Sequence, residues 1–204
     1  MTRQQTYSAE HFRQPAARSL ATRVLHLALL LMVLHQLFGS NYIRMPFPGD
    51  APSTMFMLHE YIGIASVGLI MLFWAWAVVR QGETELGRLL PWFSWRRLRA
   101  VGNDLRDQVL AIAGGQAPHD EDGALASAVH GLGLLAVTAT IATGMIYYLT
   151  PGSPYHHAAL IAHKLISNLS WGYLIAHAGL AVIHHLLGSN ILSRMFWFRR
   201  RLAR

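Results

Sequence analysis

Twelve histidines occur in a chain of 204 residues, and their positions point to chemistry more than their number does. His163 and His177 stand fourteen residues apart in the stretch HKLISNLSWGYLIAHAGLAVIHH, which closes on His184 and His185. An imidazole buried among apolar side chains is costly unless something binds it. Along a helix, fourteen residues rise about 21 Å and turn through about 1400°, some 40° short of four full turns. Both rings therefore lie on one face. His26, His35, His59 and His130 also sit within apolar runs or at their ends. Ionisable side chains inside a membrane are functional candidates by default. These residues include no cysteine, which excludes thiolate-held iron–sulfur clusters and covalent haem attachment through a C-x-x-C-H motif on this chain.

The elements that must position these rings are four apolar segments, at about 20–38, 55–79, 124–149 and 158–187. Each is long enough to cross a hydrocarbon layer, which takes about 20 helical residues. A segment in lipid has to satisfy its own backbone, so all four are expected to be helices. Charged residues make up only 13% of the chain against 53% hydrophobic, whereas a soluble domain carries about 25% charged residues. The fold class expected is therefore all-α, an integral membrane four-helix bundle. It occupies residues 20–195, between an N-terminal extension over 1–19 and a basic tail over 196–204.

Basic residues orient this bundle. Arg3, Arg13, Arg18 and Arg23 precede or open the first segment. Arg80, Arg88, Arg96, Arg97, Arg99 and Arg106 lie between the second and third, and Arg194, Arg199, Arg200, Arg201 and Arg204 follow the fourth. Fifteen of the seventeen basic residues thus fall on one side, leaving only Arg44 and Lys164 for the other. By the positive-inside rule both termini and the long middle connection are expected to be cytoplasmic. Beside spanning helices, these arginines read as topology determinants and not as a nucleic-acid surface. Within the middle connection, Ser94 opens a further helix through WRRLRAVGNDLRDQVLAIA. Leu98, Val101, Leu105, Val109 and Ile112 recur there at three- and four-residue steps. This amphipathic helix is expected on the membrane surface, plugging the floor of the bundle.

Depth then sorts the histidines into pairs. The second and fourth helices both enter from outside, so His59 and His163 lie at one level. The first helix enters from inside, which puts His26 level with His177. Two opposed imidazoles suit the two axial positions of a haem iron, while zinc takes three or four ligands in a tetrahedron. Gly63, Gly131, Gly133 and Gly179 offer places for a flat macrocycle to approach the backbone, although small residues are also ordinary helix-packing devices. Arg23, one turn before His26, is placed to pair with a haem propionate. Lys164 or Arg44 could do the same outside.

VLH at 24–26, MLHEYIGI at 57–64, the fourth-helix stretch over 163–185 and NILSRM at 190–195 carry a resemblance to the bacterial cytochrome b561 family. The chain is similar also to the b-type cytochrome subunits of nickel–iron hydrogenases and formate dehydrogenases. The resemblance implies a four-helix protein of the bacterial inner membrane with two haem b. One axial ligand comes from each of the first two helices and two from the fourth, in the pairs His26/His177 and His59/His163. It implies electron exchange with quinone, ubiquinone being a candidate, and a role as electron carrier or quinone-linked oxidoreductase. Its partners would be membrane lipid, quinone, and a periplasmic electron donor or a peripheral redox subunit, with no nucleic acid.

The remaining histidines read differently. His35 is nine residues after His26, on the opposite face, and reads as a hydrogen-bonded interior residue. His130 shares the depth of His26 and could replace it, or contact a propionate or quinone. His184 and His185 fall at the cytoplasmic interface, suited to a haem edge or to lipid. His156 and His157, beside Tyr155 in the outer connection, are candidates for a quinone or donor site. Two other functions fit the same pattern: membrane anchor of a hydrogenase- or dehydrogenase-like complex, and a haem-free transporter whose histidines move protons or metal ions.

Overall fold

The computed structural model describes residues 18–44, 46, 49–80, 83–115, 123–186 and 191–196. Arg3 and Arg13 of the N-terminal extension, and Arg199, Arg200, Arg201 and Arg204 of the tail, lie outside the described residues. Those described form α1 (Leu20–Ser40), α2 (Thr54–Val79), α3 (Leu86–Leu89), α4 (Trp95–Ala113), α5 (Ala124–Leu149), α6 (Pro154–Leu186) and α7 (Ile191–Phe196), with a 3-10 turn at Pro91–Phe93. The four expected segments are α1, α2, α5 and α6, and each is long and apolar enough to cross a membrane. Ser19 and Ser53 start the first two by accepting the Thr22 and Phe56 N–H groups. The fourth helix begins earlier than its apolar run, at Pro154, because proline suits a first helical turn.

Large apolar side chains such as Leu31, Met71, Leu165, Leu169 and Ile175 point outward and are exposed. Many of the buried residues between helices are small or hydroxylated, including Ser66, Ala77, Ser127, Ala128, Gly131 and Ser170, beside the larger Leu25, Leu37, Ile70 and Leu134. That inversion suits a bundle whose outer solvent is lipid, where close backbone approach holds the helices together. Hydroxyls inside the spans turn back onto their own helices. Thr138, Thr140 and Thr143 donate to the carbonyls of Leu134, Ala136 and Ala139, and Ser170 donates to that of Ile166. Trp74 Nε1 crosses from α2 to Thr138 Oγ1 on α5 at 3.0 Å. Gln36 Nε2 crosses from α1 to the His59 carbonyl at 2.9 Å.

The surface helix expected after Ser94 is α4, although the Ser94 hydroxyl makes no capping bond. Its apolar stripe divides. Leu98 and Val101 are half-buried, whereas Leu105, Val109 and Ile112 stay exposed. The half-buried positions further along the helix are taken by Asp104, Gln108 and Ala111. Asp104 Oδ2 accepts the Leu125 N–H at 2.7 Å and so satisfies a first-turn donor of α5 from another helix. The floor is closed by the segment before α4. Pro91 is fully buried, and the Leu89 carbonyl lies against Gly131 of α5.

A polar knot joins the ends of α1 and α2 on the same side. Glu83 accepts the Ser19 N–H at 3.1 Å and the Thr22 hydroxyl at 2.7 Å, and lies 3.7 Å from Arg80. Thr22 in turn accepts Trp76 Nε1 at 2.8 Å, and Arg18 donates to the Thr84 hydroxyl at 2.9 Å. The Arg80 and Glu83 side chains are 6% and 5% exposed. Burial pushes the Glu83 carboxyl up, but hydrogen bonds from Ser19 and Thr22 and the Arg80 charge outweigh it and hold the group below its usual range. A depressed folded-state pKa contributes stability above the unfolded value of 4.5 and loses it as pH falls through the folded one. Glu83→Ala should therefore cost about 3 kcal/mol at pH 7, the range for breaking a buried pair. Thermal unfolding in detergent should show the gap between variant and parent closing below pH 4.5. A gap that stays constant to pH 3 would rule this out.

Candidate functional site

α6 carries His156, His163, Ser170, His177 and His184 at strict seven-residue intervals. A seven-residue period keeps one stripe of a helix against a neighbouring helix. Four of the five meet α5. His156 stacks on Tyr147 with ring centroids 4.1 Å apart and lies 3.0 Å from the Tyr147 carbonyl through Nδ1. His163 Nδ1 lies 2.9 Å from the Thr140 carbonyl. Ser170 Oγ and Thr140 Oγ1 share a hydrogen bond of 3.2 Å. His177 meets His130, ring centroids 5.1 Å apart and planes at 82°. His184 is buried, and its Nδ1 has no hydrogen-bond partner.

At the outer level, His163 also faces α2. Its ring centroid is 6.1 Å from that of His59, with the planes at 83°. Two metal–imidazole bonds of about 2 Å on opposite sides of one ion, plus about 1 Å from each nitrogen to its ring centre, would set centroids about 6 Å apart. The His59–His163 spacing fits an iron held between two opposed rings. His35 on α1 lies in the neighbourhood of His59. The nine-residue step from His26 turns it off that ring's face, yet it joins the outer group.

At the inner level His130 on α5 meets His177 on α6, with His26 on α1 nearby. The ring contact of His26 is with Phe196 of α7 at 6.4 Å, edge to face. His177 lies between His130 and Tyr173, whose ring stacks on it at 5.4 Å and 9°. Arg23 sits one turn before His26 on α1, half-buried. The structure thus brings the rings of His59 and His163 together, whereas the ring contacts of His177 are with His130 and Tyr173 and that of His26 is with Phe196. Among the described residues no three His, Asp or Glu side chains converge into a metal-binding group.

Tautomers add to the fit. A carbonyl only accepts, so Nδ1 carries the proton in His163 and in His130, whose Nδ1 lies 2.6 Å from the Ala126 carbonyl. Nε2 is then the lone-pair nitrogen, and a proton given to a carbonyl is the usual second contact of a metal-bound histidine. The Nδ1 atoms of His26, His35 and His59 are buried without a hydrogen-bond partner, which a buried polar atom seldom tolerates.

The glycines differ from expectation. A methyl at Gly131 would collide with the Leu89 carbonyl, and one at Gly133 with the Tyr173 ring. At Gly63 it would meet Gln36 Nε2 at 3.3 Å. These three face protein groups, the packing role small residues also serve, because the floor segment and a tyrosine pack where they leave room. Gly179 has nothing within 4 Å. Gly144 faces the His163 ring.

The model of the family described as prokaryotic cytochrome b561 matches residues 17–198. The chain belongs to the prokaryotic cytochrome b561 family. It is accordingly a multi-pass membrane b-type cytochrome that binds haem b and transfers electrons. Comparison with curated proteins and with solved structures gives no match. The helices that carry His26, His59, His130, His163 and His177 all lie within the matched residues.

Proposed function

We propose that this cytochrome holds two haem b, one between His59 and His163 and one between His26 and His177, and passes electrons across the bacterial inner membrane between a donor and the quinone pool. The 6.1 Å separation of the His59 and His163 rings is the observation that carries the reading. The spacing of His163 and His177 on one face of α6 extends it to a second level. Bound haem supplies reversible one-electron chemistry at each level. The chain's own part would be to hold each haem through imidazole nitrogens, His59 and His163 at one level and His26 and His177 at the other, for electron transfer without substrate binding at the iron. Arg23 is placed to offset the charge of an inner propionate. The arginine distribution supports cytoplasmic termini, so His59 and His163 serve the periplasmic face and His26 and His177 the cytoplasmic one.

Purified protein from cells with ample haem supply should contain two haem b per chain by pyridine haemochromogen assay. It should show sharp reduced α and Soret bands, and a soluble ubiquinol should reduce it. Colourless protein would end this reading in favour of the haem-free transporter. Two haems that ubiquinol fails to reduce would remove quinone as partner.

A further inference from the structure

The structure assigns to α5, through Thr140, Thr143 and Gly144, the task of orienting the outer imidazole His163 and setting its donor strength. This inference rests on the proposed His59/His163 haem. The three residues hold the ring from one side. The Thr140 carbonyl takes the Nδ1 proton at 2.9 Å. The Thr143 hydroxyl donates its own proton to the carbonyls of Ala139 and Thr140, at 2.8 and 3.0 Å. Its lone pair is therefore left for the same Nδ1–H, at 3.4 Å. The Thr140 and Ser170 hydroxyls, 3.2 Å apart, tie this part of α5 to α6 two turns along from His163. Gly144 completes the cradle: a methyl there would lie 3.0 Å from His163 Cε1 and 3.1 Å from Nδ1. Such approaches are closer than side chains ordinarily make, so a larger residue must shift the ring by a few tenths of an ångström against the Thr140 carbonyl.

The partner ring differs. His59 Nδ1 is buried with no hydrogen-bond partner, so the outer pair is anchored from one side only. An Nδ1 proton shared with a carbonyl leaves more electron density on Nε2 and makes the ring a stronger donor. A stronger axial donor favours the oxidised iron and lowers the potential. α5, which supplies no ligand to this iron, thus acts through His163, and Thr140, Thr143 and Gly144 are positioning residues.

Gly144→Ala should retain two haems per chain, raise the midpoint potential of the outer one, shift its low-spin EPR signal, and leave the inner component in place. Thr143→Val adds no bulk and should raise the same component by a smaller amount. Gly172→Ala, where nothing lies within 4 Å, should change neither. Unmoved potentials in both α5 variants, with two haems present, would overturn the inference while leaving the dihaem reading intact. A parent protein without haem would instead defeat that reading. Should Gly144→Ala fail to fold, Thr143→Val decides alone: an unchanged outer potential overturns the assignment.

Discussion

Replacing His163 with alanine is expected to take haem content from two to one per chain, and His177→Ala to remove the other. The reasoning is geometric. α6 gives each level one nitrogen, and the stripe that carries both is locked against α5 through Thr140, Ser170 and His130. In the proposed arrangement the second nitrogen comes from His59 outside, at 6.1 Å between rings, and from His26 inside. His59→Ala should therefore reproduce His163→Ala, and His26→Ala should reproduce His177→Ala. The two histidines beside these pairs provide the contrast. His35→Ala and His130→Ala should each keep two haems. The His130 ring lies 5.1 Å from that of His177, so its variant should still move the inner potential. Haem per protein by pyridine haemochromogen, with redox titration of the survivor, checks all six. A His130 variant that loses the inner haem while His26→Ala keeps both would reassign the ligand to α5.

Gly131→Ala should be the most damaging single change outside the histidines. The added carbon would overlap the Leu89 carbonyl, a backbone atom that no rotamer change can move. Leu89 is buried at the end of α3, and the next turn contains the fully buried Pro91. Relief requires the floor segment to leave α5. Overpacking of this kind costs about 1–3 kcal/mol where side chains can adapt, and about 3 kcal/mol or more is expected against backbone. Gly68→Ala is the control, since nothing lies within 4 Å of it. Alanine in a helix interior is favoured over glycine by about 0.8–1 kcal/mol, so this variant should be neutral or better. Thermal unfolding in detergent compares them directly, and a Gly131→Ala protein as stable as its parent would refute the close packing. The inner level lies one residue away, at His130, so the same variant should loosen the inner haem before the outer one.

Much of this molecule was written in its amino-acid order. The four spans, the extra helix after Ser94 and the shared face of His163 and His177 all follow from local quantities. An apolar run of a given length must be helical in lipid, and a fixed rise and turn per residue fix which side chains align. The depth match of His59 to His163 follows from the same arithmetic once the helices alternate in direction. Other features depended on how helices rotate and how connections fold back. Gly131 and Gly133 look alike in sequence to a glycine beside a macrocycle, yet a loop carbonyl and the Tyr173 ring reach them. Asp104 reads as a surface charge until the start of α5 is brought to it. Glu83 reads the same way until Ser19 and Thr22 arrive from sixty residues earlier.

The chain by itself determined the membrane-crossing helices, the levels at which imidazoles occur, and the stripe on α6 that carries two of them, because these depend on residue type and helical period alone. Only the tertiary structure decided which neighbours hold each ring: Thr140 and Gly144 behind His163, His130 and Tyr173 beside His177, and His35 near His59. Those contacts join residues far apart in sequence through the packing of one helix on another, and no local period encodes the rotation at which two helices meet.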